Sequence, residues 1–447
     1  MKSERLVWMI VACVALLAAG THAATYTWKA STMGAGNWSD TTKWDVDGGG
    51  PNGTTPGPND DVVLLGGGAD ITVTLDVDAT VNSLTWDCEG VNLEVNLAGS
   101  NTLKSKRFEK VAIHGPTTKC PIELIQDTVF DNNGKGGGWT FESTITDGGG
   151  NYKVIADGGD QLSLADRGVS TFGGGIDVIN AGLGILRDGA IPVGATVKLG
   201  IGTGIGDGKV DLRSTYPGEP IGDPTATLDF LAGTGSRSIT AYWGNKQYRI
   251  LAQVVLGKDV SVDTNASGRS IDFEGPLSGA GALLIDSDGP VIVSHAGNSA
   301  WTGGATVQEG ILQDADLDPD PDEIGDFGTG NILVTGEDDG LGGYATSGML
   351  DLYGGSAIDD AAVLNVTHID ASNTGLIHVA SGVTEVVGDF QVNGVSQGVG
   401  LYNASNGGIF ADIFAASGGG SIQVVPEPAT LALLALGAAA TVLRRRR

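Results

Sequence analysis

The sequence predicts an all-β chain, a right-handed parallel β-helix with β-rich flanking modules and a short C-terminal hydrophobic helix. Three observations carry that prediction. Glycine supplies 73 of the 447 residues without the every-third spacing of collagen, while 41% of residues are hydrophobic, enough for a real core. Between the glycines lie short runs of Val, Ile, Leu and Thr that alternate with polar residues, and glycine supplies the positive φ that tight turns need. Segments of similar pattern recur along the chain, and a strand of four to six residues buries its apolar face only when copies stack.

Charge narrows the function. The formal net charge is −28, and without the two terminal segments 19 cations face 51 carboxylates. Such a polyanion repels nucleic acid and anionic lipid, so no nucleic-acid partner is expected. Cys13 lies in the first segment, leaving Cys88 and Cys120 as the only later pair. An oxidising compartment permits a disulfide between them, and two isolated buried thiols are the alternative.

The two ends read as addresses. Residues 1–24 form a secretory signal: Lys2 and Arg5 begin it, Leu6 to Ala19 is apolar, and Thr21-His22-Ala23-Ala24 offers small residues for cleavage. At the C-terminus, Val425-Pro426-Glu427-Pro428-Ala429-Thr430 leads into the uncharged stretch Leu431 to Leu443 and then Arg444, Arg445, Arg446 and Arg447. As a helix that stretch is only ~20 Å long against ~30 Å of bilayer hydrocarbon, which suits a transient anchor. The arginines resist translocation and leave Pro426 to Pro428 at the outer face. This order of parts closely resembles the PEP-CTERM sorting signal. The resemblance implies recognition by exosortase, a membrane-embedded cysteine transpeptidase, after export by the general secretion machinery. Pro426, Glu427 and Pro428 would be the recognition motif. The destination it implies is the cell surface, outer membrane or extracellular matrix of a Gram-negative-type bacterium, with transient inner-membrane anchoring by the C-terminal helix.

Within the body, Ser299-Ala300-Trp301-Thr302-Gly303-Gly304-Ala305-Thr306-Val307, followed by Glu309-Gly310-Ile311-Leu312, has a looser partner in Thr171-Phe172-Gly173-Gly174-Gly175-Ile176-Asp177-Val178, followed by Ala181-Gly182-Leu183. Both read as an aromatic, a glycine turn, an alternating strand, a second glycine turn and an apolar strand. Uniform coils of roughly 20 to 25 residues would give about 16 to 20 coils over the body. The stretch from Gly275-Pro276-Leu277-Ser278-Gly279-Ala280-Gly281 to Leu312 resembles the autotransporter-associated β-strand repeat, a β-helix element of bacterial surface proteins. Trp28, Trp38, Trp44 and Trp86 concentrate near the N-terminus in what resembles an opening module, and Asp389 to Tyr402 resembles a closing one. The chain divides accordingly into a signal peptide (1–24), a tryptophan-rich β module (25–100), a β-helix repeat region (101–365), a β capping module (366–425) and the sorting tail (426–447).

Chemistry-bearing motifs are few. Asp314, Asp316, Asp318, Asp320, Asp322 and Glu323 place carboxylates at alternate positions, and Asp316, Asp318, Asp320 and Asp322 are a candidate calcium loop. The EF-hand form is missing, since Pro321 and Phe327 stand where glycine and glutamate belong, and a solvated loop is the simpler reading. No other cofactor is expected. His114, His295, His368 and His378 have no second ligand at metal spacing. The sequence therefore reads as a non-enzymatic structural or adhesion protein. The alternatives are a polysaccharide-binding protein, using exposed Trp38, Trp44 and Trp301 as stacking platforms, or a β-helix polysaccharide lyase or glycosidase with convergent carboxylates. Exopolysaccharide is the partner such alternatives imply.

Overall fold

The computed structural model describes residues 23–425 except 51–52, 68–69, 89–94, 112–114, 133–137, 160, 166–169, 188–189, 202–207, 213–219, 243–246, 316–323, 339–343 and 368–375. The signal segment, the sorting tail and the acidic stretch Asp316 to Asp322 thus lie outside the described residues. The chain is all-β and winds into a β-solenoid of about 11 turns.

One ladder shows how the pattern makes the fold. In Thr25–Lys29 the alternation turns Tyr26 and Trp28 inward, and in Asp61–Leu65 it turns Val62 and Leu64 inward. Parallel pairing then sets Tyr26 beside Val62, and the same inward column continues through Leu84, Phe108, Phe130, Ala156, Val178, Leu199, Phe230 and Leu256 to Gly279. Each rung covers the apolar face of the one below, which no single strand could do for itself. A second sheet continues beyond the last of these rungs, carrying the column Val260, Leu283, Ala305, Ile332, Leu364 and Phe390.

The two recurring segments each form a glycine-entered rung, the first in the first sheet and the second in the second sheet. Ile176–Val178 stacks on Val154–Asp157, and Ala305–Gln313 stacks on Leu283–Val293. Each is entered by a glycine with positive φ, Gly175 at 82° and Gly304 at 72°. A β-carbon there would lie 2.4 Å from the Thr196 carbonyl oxygen or 2.0 Å from that of Asn331, so the next coil leaves no room for any side chain.

Coil length departs from the uniform expectation. Val154 pairs with Ile176 and Ser83 with Arg107, steps inside the expected range, whereas Thr25 pairs with Asp61, Thr196 with Thr227 and Ile332 with Leu364. The longer coils carry insertions at their corners, and so fewer coils form than the sequence length suggested. Thr25–Lys29, Asp61–Leu65 and Ala79–Asp87, all in the tryptophan-rich segment, are the first rungs of a sheet that continues from Ala79–Asp87 into Leu103–Lys110. At the other end Thr384–Val387, Ser421–Val424 and Gly400–Tyr402 form a separate three-stranded sheet. Together with the short helix Ile409–Ile413 it brings Tyr402, Phe410 and Phe414 against Phe390, closing the last rung of the inward column.

Candidate functional site

The tryptophans proposed as stacking platforms are core. Trp38, Trp44 and Trp301 are at most 1% exposed, as are Trp28, Trp86 and Trp139. Their indole N–H groups donate inward: Trp44 to the Trp38 carbonyl at 2.9 Å, Trp86 to Val95 at 3.0 Å and Trp301 to Gly281 at 2.9 Å. Burying an indole requires such a partner, and here each is a backbone carbonyl of the solenoid itself. These side chains therefore offer no face to a glycan.

Cys88 and Cys120 are separate buried thiols, so the disulfide that the sequence permitted is not formed in the structure. Ile122 is in register with Leu103 and Leu103 with Ala79, which aligns Cys120 with the position of Val77 at the start of a rung. Cys88 stands at the far end of that rung, beyond Asp87. Burial pushes the Cys120 thiol up to about 12, leaving it unreactive as a nucleophile.

The densest group of ionisable side chains lies where the second sheet nears the cap. Asp351 and His378 sit opposite each other on Tyr344–Leu352 and Ile377–Val379, and the His378 Nδ1 meets the Asp351 carboxylate. The Tyr353 hydroxyl donates to the other oxygen of Asp351 at 2.9 Å, and Gln313 Nε2 donates to it at 3.3 Å. Beneath them the Asp314 carboxylate accepts the backbone N–H groups of Tyr353 and Gly354, both at 2.8 Å. Glu385 does the same for Ala357 at 3.3 Å and Ile358 at 2.5 Å. Asp314 and Glu385 are fully buried.

Burial dominates their chemistry. It raises Asp314 to about 6, against the pull of its two amide donors, with the Asp351 charge adding to the rise. Burial likewise raises Glu385 to about 8, with Asp314 and Asp360 reinforcing it. Tyr353 is pushed up to about 12 by burial and by its bond to Asp351. A phenol shifted that way and committed to a carboxylate is a poor proton donor to substrate, and the two buried acids are committed to backbone amides. Only the Asp351 and His378 pair, with the histidine side chain 18% exposed, has the form of an oriented acid-base group.

One concavity adjoins this cluster and another lies many coils away. A cavity of about 210 Å³ lies beside the cap, lined by Val379, Asn403 to Ser405, Phe414, Ala415 and Gly418 to Gly420. An open cleft of about 340 Å³ lies between Glu123 to Ile125 and the Asp147 to Tyr152 corner. Asp147 accepts the N–H groups of Gly149 at 2.9 Å, Tyr152 at 3.2 Å and Gly173 at 2.8 Å. Burial alone would raise it, but those donors outweigh burial and hold it below the ordinary carboxylate value. Among the described residues no group of three His, Cys, Asp or Glu side chains is placed to hold a metal ion.

Sequence spacing pointed at Asp314 only as part of an acidic run, and it passed over Asp351 and Glu385. The separation of 27 residues between Asp351 and His378 is close to one coil, and both sit in alternating strands. That coincidence was the available signal. His295, by contrast, is half-buried, and only its carbonyl is engaged, by Asn298 Nδ2 at 2.9 Å and the Asp326 N–H at 3.2 Å.

Comparison with known proteins bears on the terminus rather than on this cluster. Residues 424–447 match the PEP-CTERM protein-sorting motif. The motif marks an exported protein of Gram-negative-type bacteria that is sorted by exosortase. No curated protein and no solved structure matches the chain. No helix among the described residues is long and apolar enough to cross a membrane, and Leu431 to Leu443 lies outside them.

Proposed function

We propose that the chain is a non-enzymatic structural or adhesion protein of the cell surface or extracellular matrix, delivered by its tail. The observation that carries this reading is the sorting motif at 424–447, directly following a capped β-solenoid. The secretion machinery exports the chain, Leu431 to Leu443 holds it transiently in the inner membrane, and exosortase acts at Pro426, Glu427 and Pro428. The segment from Gly275 to Leu312, which resembles the autotransporter-associated repeat, supports a surface role, since most of its glycine corners are pressed against the backbone of a neighbouring coil. So does the use of buried carboxylates to hold backbone amides at coil corners.

A second reading, a polysaccharide lyase or an exopolysaccharide-binding protein, rests on Asp351, Tyr353 and His378. A turnover and binding screen of the secreted protein against acidic and neutral polysaccharides separates the two. The structural reading expects no turnover. Cleavage that disappears in His378→Gln while the fold persists would replace it with the lyase.

A further inference from the structure

We propose that the C-terminal cap docks on the lipid surface of the membrane that holds the tail, through an apolar patch of Val395, Val399, Leu401 and Ile409. Nine large apolar side chains are exposed among the described residues, and four of them fall in this short span. Val395 is 64% exposed, Val399 66%, Leu401 52% and Ile409 37%. The Tyr402 hydroxyl donates to the Gly398 carbonyl at 3.0 Å and also to that of Gln397, which ties the loop carrying Val395 and Val399 to the strand carrying Leu401. The Tyr402 ring in turn packs on Phe410 at 5.2 Å, beside Ile409. All four side chains therefore lie at the cap end of the fold, and Val399 and Leu401, two residues apart, point to the same face.

Two further observations identify what covers it. The first is where the chain leaves the fold. In Ser421–Val424, Val424 lies opposite Gly400 and Gln423 opposite Leu401, so the chain departs between Val399 and Leu401. Six residues, Val425 to Thr430, separate that point from Leu431, a tether of at most ~20 Å. A body held by the tail must keep this end within that distance of the hydrocarbon, and headgroups fill part of the gap. The second is charge. Residues 390–425 contain a single ionisable side chain of the Asp, Glu, Lys and Arg types, Asp412, in a protein of net charge −28. An anionic bilayer repels the rest of the body but has nothing to repel at this end. Uncharged polar backbone and a few aliphatic side chains are the material of interfacial contact. Docking would hold Pro426 to Pro428 at headgroup depth, where a membrane-embedded transpeptidase works.

The inference rests on membrane insertion of the tail, and the test keeps the two apart. The chain after signal removal, residues 25–447, which lacks Cys13, is reconstituted in phosphatidylethanolamine and phosphatidylglycerol vesicles with a single added cysteine carrying an environment-sensitive fluorophore. Val395→Cys and Leu401→Cys report on the patch. Val193→Cys, from a valine 67% exposed and far along the rod, is the control. The buried native thiols Cys88 and Cys120 stay unlabelled under native conditions. Spin-labelled lipid should quench roughly half the emission at 395 and 401 and almost none at 193, as expected for side chains at the acyl boundary. Vesicle-bound chain with all three labels equally unquenched overturns the docking and leaves the tail reading intact. Chain that does not float with vesicles overturns both. Patch labels shielded equally in detergent, with the mass of a dimer, would assign the patch to a second copy and also overturn the proposal.

Discussion

The coils from Tyr26 to Phe141 and those from Asp314 to Glu385 secure their interiors with different materials. The first group is filled by aromatic rings: Trp44 stands edge-on to Trp28 at 5.1 Å and Trp38 at 4.9 Å, and Trp86 and Trp139 meet at 4.8 Å. Phe108 stacks on Phe130 at 4.8 Å. That region's ion pairs keep at least one partner partly exposed, as in Lys29 with Asp45 and Lys104 with Glu123, while Lys110 is fully buried. The second group places carboxylates inside the fold and points backbone amides at them. Aromatic packing does not respond to pH, whereas a buried acid does. The acids of the first region, Asp40, Asp45 and Asp76, are held low and those of the second are raised, so the two ends should respond to pH with opposite sign: the first loses stability as pH falls and the second as pH rises.

Asp147 and Asp314 sharpen the contrast because both collect amides at a coil corner. Asp147 stands at an open cleft with three donors and is held low, while Asp314 is enclosed with two and is raised. Depth of burial, weighed against the number of donors, decides the sign.

The largest effect should come from emptying the aromatic end. Trp86→Ala removes a fully buried ring and should cost about 3–5 kcal/mol. Hydrogen exchange should then show protection lost around Asp61–Leu65 and Leu103–Lys110, with the cap unaffected, because coils interact mainly with neighbours. Equal loss at both ends would break the comparison.

Next in size is Glu385. Its folded value, about 8, lies above the unfolded 4.5, so the folded state binds the proton more tightly. That contribution is complete below about 4.5 and is lost as pH rises through about 8. Glu385→Gln carries no such dependence. The stability difference between wild type and variant should shift by a few kcal/mol, in favour of the variant, between pH 5 and pH 9. Urea titrations at the two pH values check it, and a constant difference would contradict it. Glu385→Ala instead leaves the Ala357 and Ile358 amides without their acceptor and should cost about 1–3 kcal/mol even at pH 5.

Asp147 should show the opposite sign. Its folded value lies below 3.8, so its contribution is present above that pH and is lost as pH falls through the depressed folded value. Asp147→Asn should cost about 1 kcal/mol at pH 7, and the gap should close toward pH 2 in the same titration. Smallest of all, Glu123→Gln breaks the half-exposed pair with Lys104 at 2.7 Å and should change stability by less than ~0.5 kcal/mol.

Alternation and glycine punctuation made the solenoid legible, down to the positive-φ corners at Gly175 and Gly304, because both follow from local chemistry. Coil length was not legible, since insertions such as the one between Thr25–Lys29 and Asp61–Leu65 add residues without adding a rung. Nor was the continuity of the tryptophan-rich segment with the rod legible in its composition, since it depends on the pairing of Ala79–Asp87 with Leu103–Lys110. The roles of Asp314, Asp351 and Glu385 depend on which residues stacking brings together across one coil or more, and local spacing is blind to that. The tail was fully legible because its signal is linear: a turn motif, an apolar stretch and terminal arginines.

The central claim is that this linear signal delivers the rod to the outside and is removed on the way. The direct measurement is the C-terminal mass of the protein recovered from surface and extracellular fractions of cells with and without their exosortase. The account predicts a chain ending near Pro426 to Pro428 in the first case. In the second it predicts an intact chain through Arg447, retained with the inner membrane. An intact C-terminus and an unchanged location in both would contradict it.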